Sequence, residues 1–184
     1  SQYIERFDIH KLSINDFFHN NFVKGVFFRI MQLVKDIYSD VEYEIEKRLN
    51  ELKFSKNLHF SSYSSLGVYD GSSIKHFSYV ALIILGPFIK EIHQDIIEYY
   101  QMFLAIINHQ KYSKENLEVA RNIYEIFYNL LLSQMSKEKF CLKFHENFHS
   151  LNEMEFFGPQ CNAQVLEHKH QVLKMFQTII GKKP

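Results

Sequence analysis

One apolar stripe constrains this chain more than any other feature. Phe22, Val26, Ile30, Leu33, Ile37, Val41, Ile45, Leu49 and Leu52 follow one another in steps of three and four. That spacing places every member on the same side of a helix, where the stripe must be covered. Lys35, Asp36, Asp40, Glu44, Lys47 and Arg48 fall on the opposite side. Read as one continuous helix to Phe54, the segment would be ~50 Å long at 1.5 Å per residue. A stripe of that length needs several partner helices to bury it.

The rest of the sequence supplies them. The chain has 184 residues, with only 6 Gly and 3 Pro, so turn chemistry is scarce and a many-stranded sandwich or barrel is excluded. Residues 1–15 read as a lead-in. Serines and glycines between 55 and 73 read as a loop, with Ser72 or Ser73 capping a helix over 74–108. Gly86-Pro87 should kink or split that helix, because proline removes a donor and clashes with the preceding turn. Ser113 and Ser136 each precede Lys-Glu and are expected to cap helices over 114–134 and 137–150. Gly158-Pro159 marks a turn before a last amphipathic helix over 162–180. The expectation is an all-α fold: a single domain over 1–184, built as a bundle of five or six helices.

Charge and cysteine content narrow the function classes. Lys+Arg and Asp+Glu both number 21, which excludes an overall basic footprint for nucleic acid, though not a local basic face. Two cysteines, Cys141 and Cys161, make neither a disulfide framework nor a four-Cys zinc site. The longest nearly apolar run, from Tyr79 to Ile89, is too short for a membrane span, which needs about 20 residues. The run reads as a buried core helix. Glu42, Glu44 and Glu46 read as a solvated face, and Lys169, Lys182 and Lys183 with His168 and His170 as a mildly basic end.

The sharpest local motif is His145-Glu146-Asn147-Phe148-His149. On a helix its two histidines share one face, so both imidazoles can reach one Zn²⁺ while Glu146 acts as general base on a bound water. Glu167, His168 or His170 would supply the third ligand. The competing reading is a pair of histidines on a half-buried helix with no ligand.

Two segments resemble heme oxygenases of the plastid and plant type. Phe22, Val23, Met31 and Leu33 match the spacing of that family's first long helix. The family's proximal heme-ligating histidine falls at Val34, or at Lys35 in the neighbouring register, and either removes the imidazole. Phe140, Phe144, Phe148 and Ser150 fit aromatic and small positions of the family's distal helix, with Lys143 in place of its histidine. The family's glycine pair, which lets that helix bend toward iron and bound oxygen, falls at Met154 and Glu155. Val165 to Phe176 is similar to the closing helix. A second register places His10 before Phe18 to Gly25, is similar to the animal-type pattern, and restores a proximal ligand.

The resemblance implies a heme-oxygenase-like multi-helical bundle that has lost heme degradation. It implies degenerate pocket positions at Val34, Lys35, Lys143, Phe148, Met154 and Glu155. No cofactor is expected, heme being bound only if the family activity is retained. The role implied is non-enzymatic: interaction or scaffolding in biogenesis or maintenance of a parasite plastid, the apicoplast. There the protein would be soluble after losing an N-terminal leader, with an organellar protein or protein–nucleic-acid complex as partner. Three alternatives stand beside it. They are an active heme oxygenase using His10, a zinc-dependent hydrolase through His145, Glu146 and His149, and a transposase-derived helical domain. The last rests on Phe156-Phe157-Gly158-Pro159 and on Glu167 as a metal-binding carboxylate.

Overall fold

The computed structural model describes residues 17–52, 62–108, 113–136 and 139–157. Seven α-helices form these segments: α1 (Phe17–Asn21), α2 (Val26–Ile37), α3 (Glu42–Glu51), α4 (Gly71–Leu85), α5 (Glu91–Ile107), α6 (Lys114–Gln134) and α7 (Leu142–Phe157). No strand occurs among the described residues, and the helices pack around one hydrophobic cluster. The fold is all-α, as the periodicity requires. None of the described helices is long and apolar enough to cross a membrane.

The long stripe is real, but it is not one helix. Phe22, Val26, Ile30, Leu33, Ile45 and Leu49 are all buried. Between them α2 ends at Tyr38, whose φ of −116° and ψ of 37° leave the helical region, and a 3₁₀ turn over Ser39–Val41 re-aims the chain into α3. A tertiary bond accompanies the break. The Tyr38 hydroxyl accepts from the backbone N–H of Lys90 at 2.9 Å, at the entrance to α5. The break also turns Ile37 outward, to 44% exposure.

The second expected helix divides as Gly86-Pro87 predicts. A 3₁₀ turn over Gly86–Phe88 separates α4 from α5. Gln94 on α5 donates through Nε2 to the carbonyls of Gly86 at 3.1 Å and Ile89 at 2.9 Å, satisfying acceptors that the broken helix leaves open. Gln101 donates to the Ser78 carbonyl. The run from Tyr79 to Ile89 is therefore only half core, since Tyr79 and Ile83 point outward from α4.

Helix starts follow capping chemistry, not always at the expected residue. Asp70, rather than Ser72 or Ser73, caps α4, its carboxylate accepting from Ser73 N–H at 2.7 Å. That bond holds the Asp70 carboxyl below the usual carboxylate range. Its stabilising effect is present above that range and is lost as pH falls through the folded-state value. Asp70→Ala is expected to cost about 1 kcal/mol in chemical denaturation near neutral pH. An unchanged midpoint would show that the cap contributes nothing. Ser113 caps α6 as expected, accepting from Asn116 N–H at 3.2 Å. Ser136 caps no α-helix, because α7 begins at Leu142 and runs on to Phe157.

The sequence has 18 Phe and 11 Tyr with no Trp, and among the described residues part of this aromatic surplus forms the centre of the bundle. Phe103 and Tyr124 sit 4.5 Å apart between ring centroids, Tyr100 and Phe127 5.0 Å, and Tyr124 and Phe148 4.9 Å. Such pairs add roughly 0.5–1.5 kcal/mol each beyond their buried area. They join α5, α6 and α7 into the frame on which the chemistry-bearing residues stand. The lead-in 1–15, the turn at Gly158-Pro159, the helix over 162–180, Cys161, His10 and Glu167 lie outside the described residues.

Candidate functional site

Helix α7 carries most of the residues singled out by sequence, and its two faces differ in kind. Phe144, Asn147, Ser150, Leu151 and Met154 are buried. Phe144, Asn147, Leu151 and Met154 step by three and four, with Ser150 beside them, on one helical face against α1 and α6. His145 and His149 lie on the other side and are exposed, with Glu146 half-buried. The two imidazoles lie 4.8 Å apart between centroids at an interplanar angle of 84°. Among the described residues no group of three His, Cys, Asp or Glu could hold a metal ion.

The positions matched to a heme pocket are occupied by structural contacts. Val34 is fully buried in α2. Lys35 pairs with Glu42 at 3.0 Å and donates to the Ser64 carbonyl at 2.9 Å, tying α2 to the segment before α4. Glu46 accepts from Ser62 Oγ at 3.1 Å and from Ser64 N–H at 3.3 Å, so part of the expected solvated acidic face holds that same segment. Lys143 extends from α7 to donate to the Val23 carbonyl at 2.9 Å. Phe148 packs edge-on against Tyr124 and Tyr128. Met154 is buried, and Glu155 meets Arg121 on the surface at 3.5 Å. A cleft of about 230 Å³ lies between α2 and the start of the α7 segment, lined by Arg29, Gln32, Leu33, Asp36, Met135 and Lys139.

A buried polar network joins α1, α5, α6 and α7, and sequence reasoning missed it. Asn21 and Asn147 form a reciprocal amide pair. Asn21 Nδ2 donates to Asn147 Oδ1 at 3.1 Å, and Asn147 Nδ2 donates to Asn21 Oδ1 at 2.9 Å. The remaining capacity of Asn21 is filled by the Phe17 carbonyl at 2.8 Å and by the Tyr100 hydroxyl. Asn147 also donates to the Tyr124 hydroxyl at 3.2 Å, which in turn donates to the Phe144 carbonyl at 2.6 Å. Asn21 thus uses both donors and both lone pairs. Burial raises both tyrosine pKa values, so the hydroxyls remain protonated donors. The available signal was phase: Asn147 shares its helical face with Phe144, Leu151 and Met154.

A second buried pair sits where α2 meets α5. The Tyr38 hydroxyl, which accepts from Lys90, shares a hydrogen bond of 2.7 Å with His93 Nδ1, and the rings meet edge to face. The other ring nitrogen, Nε2, is buried and has no hydrogen-bond partner, so charging the ring would bury an unpaired N–H. Burial first, and the Lys90 charge second, lower the His93 pKa from the ordinary 6.5. The unfolded chain then binds a proton more readily than the folded one. Stability is full above the unfolded value and falls as pH drops from there through the folded value. Thermal unfolding between about pH 7.5 and pH 5 is expected to show this loss, and His93→Gln is expected to flatten it. Parallel pH profiles for the two proteins would rule it out.

Both networks are buried, and apart from His93 Nε2 their side-chain polar atoms bond within the protein. The histidine pair on α7, by contrast, is exposed. The chain matches no family model, no curated protein and no solved structure.

Proposed function

We propose that this chain is a catalytically degenerate heme-oxygenase-like bundle that works by binding a partner, in biogenesis or maintenance of a plastid of the apicoplast type. The observation that carries the reading is the filled contact between the first helices and α7. There Asn21 and Asn147 bond each other reciprocally, Lys143 is tied to Val23, and Phe144, Leu151 and Met154 pack into the core. Heme degradation needs an imidazole on iron and a backbone that closes on bound oxygen. Val34 or Lys35 at the first position and Met154 with Glu155 at the second supply neither. Outside, Tyr79 and Ile83 stand one turn apart on α4 at 50% and 54% exposure, apolar surface of a kind suited to a protein partner.

Hemin titration of the purified protein tests the reading. The expected result is no sharp Soret band and no biliverdin under a reductant. A Soret band abolished by His10→Ala, with biliverdin formed, would establish the active-enzyme alternative instead.

A further inference from the structure

The exposed pair on α7 has a use that the interaction role does not absorb. We propose that His145 and His149 form a two-histidine chelate for a divalent transition metal, Cu²⁺ or Zn²⁺, that clamps one turn of α7 from outside. The argument is independent of any heme-oxygenase ancestry. A metal bound at about 2.0–2.1 Å to one nitrogen of each ring lies about 3.2 Å from each ring centroid. Nitrogen–metal–nitrogen angles of about 90–110° then set the centroids roughly 4.6–5.3 Å apart. His145 and His149 have centroids 4.8 Å apart in the structure, with the rings nearly perpendicular. Both side chains are exposed, so the metal enters without opening the fold.

The chemistry sets the metal class. Two imidazoles with no third protein donor among the described residues leave the other positions to water. Such a nitrogen site favours Cu²⁺ over Zn²⁺. It is an open site rather than a closed structural one, so a donor from a bound partner could complete it. The clamped turn is the one whose inner side holds Asn147, between the two ligands in sequence, so metal outside and amide pair inside brace the same turn.

The test uses the untagged chain, stripped with a chelator and titrated with Cu²⁺ under paramagnetic resonance, then with Zn²⁺ under thermal unfolding. One tight Cu²⁺ equivalent with two nitrogen couplings is expected, together with a melting temperature that rises with Zn²⁺ concentration. His145→Ala and His149→Ala are each expected to weaken binding by roughly tenfold or more and to abolish the Zn²⁺-dependent rise. His76→Ala, on α4, is expected to change neither. Both alanine variants change exposed side chains and so preserve the fold, which the metal-free melting temperature verifies. Wild-type affinity in the double variant, or no saturable site in the wild type, would overturn the proposal.

Discussion

Asn147→Ala is expected to destabilise the bundle by about 3 kcal/mol, a large share of the 5–15 kcal/mol typical of a whole domain. The estimate follows from what is left behind. Asn21 keeps the Phe17 carbonyl and the Tyr100 hydroxyl but loses one donor bond and one acceptor bond. Tyr124 keeps the Phe144 carbonyl but loses the amide that donated to it. Each half-satisfied group costs about 1 kcal/mol or more in a site that water does not reach, and the vacated volume adds to this. Replacing the network together should cost less than breaking it. A triple variant, Asn21→Leu, Asn147→Leu and Tyr100→Phe, removes the Asn21 and Tyr100 groups along with their bonds, leaves the Tyr124 hydroxyl with its bond to the Phe144 carbonyl, and is expected to recover part of the loss. Denaturant midpoints at constant slope measure both. A cost below about 1 kcal/mol for Asn147→Ala would mean that water reaches the network.

Gly25→Ala is expected to cost about 3 kcal/mol or more, while Gly86→Ala should be neutral or stabilising by about 0.5 kcal/mol. Conformation does not separate the two, since φ at Gly25 is −90° and at Gly86 −47°. Space does. A Cβ on Gly25 would fall deep inside contact with the backbone carbonyls of Asn20 and Asn21, whereas one on Gly86 meets nothing within 4 Å. Backbone cannot step aside as a flexible side chain can. The turn that would have to move begins at Asn21, and Lys24, the non-glycine residue with positive φ at 51°, already strains it. Gly25→Ala should therefore also loosen the amide pair, and its cost should not add to that of Asn147→Ala. Additive costs in the double variant would show the turn and the network to be independent.

The features that local pattern determines were legible in the sequence. Apolar spacing located the buried face of α2 and α3, Ser113 located the start of α6, and Gly86-Pro87 located the division of α4 from α5. What could not be read depends on partners distant in sequence. The apolar stripe runs unbroken past residue 38, and the Lys90 and His93 contacts that Tyr38 makes where the helix stops come from another part of the chain. Phase puts Asn147 on the buried face of α7, but its partner Asn21 lies on α1, 126 positions away. His145 and His149 were legible as one face of one helix. Which face it was depended on how Phe144 and Leu151 engage the core.

The amide pair has a consequence for how the bundle is reached and kept. Its two members are 126 positions apart, whereas α4 with α5 and α5 with α6 are neighbours along the chain. Closing so long a loop comes before the pair can return anything, so the adjacent hairpins are expected to assemble first and α1 to be latched to α7 last. A late contact has little influence on the rate of assembly and a large one on the rate of escape. The two asparagines therefore set chiefly how long the finished bundle persists.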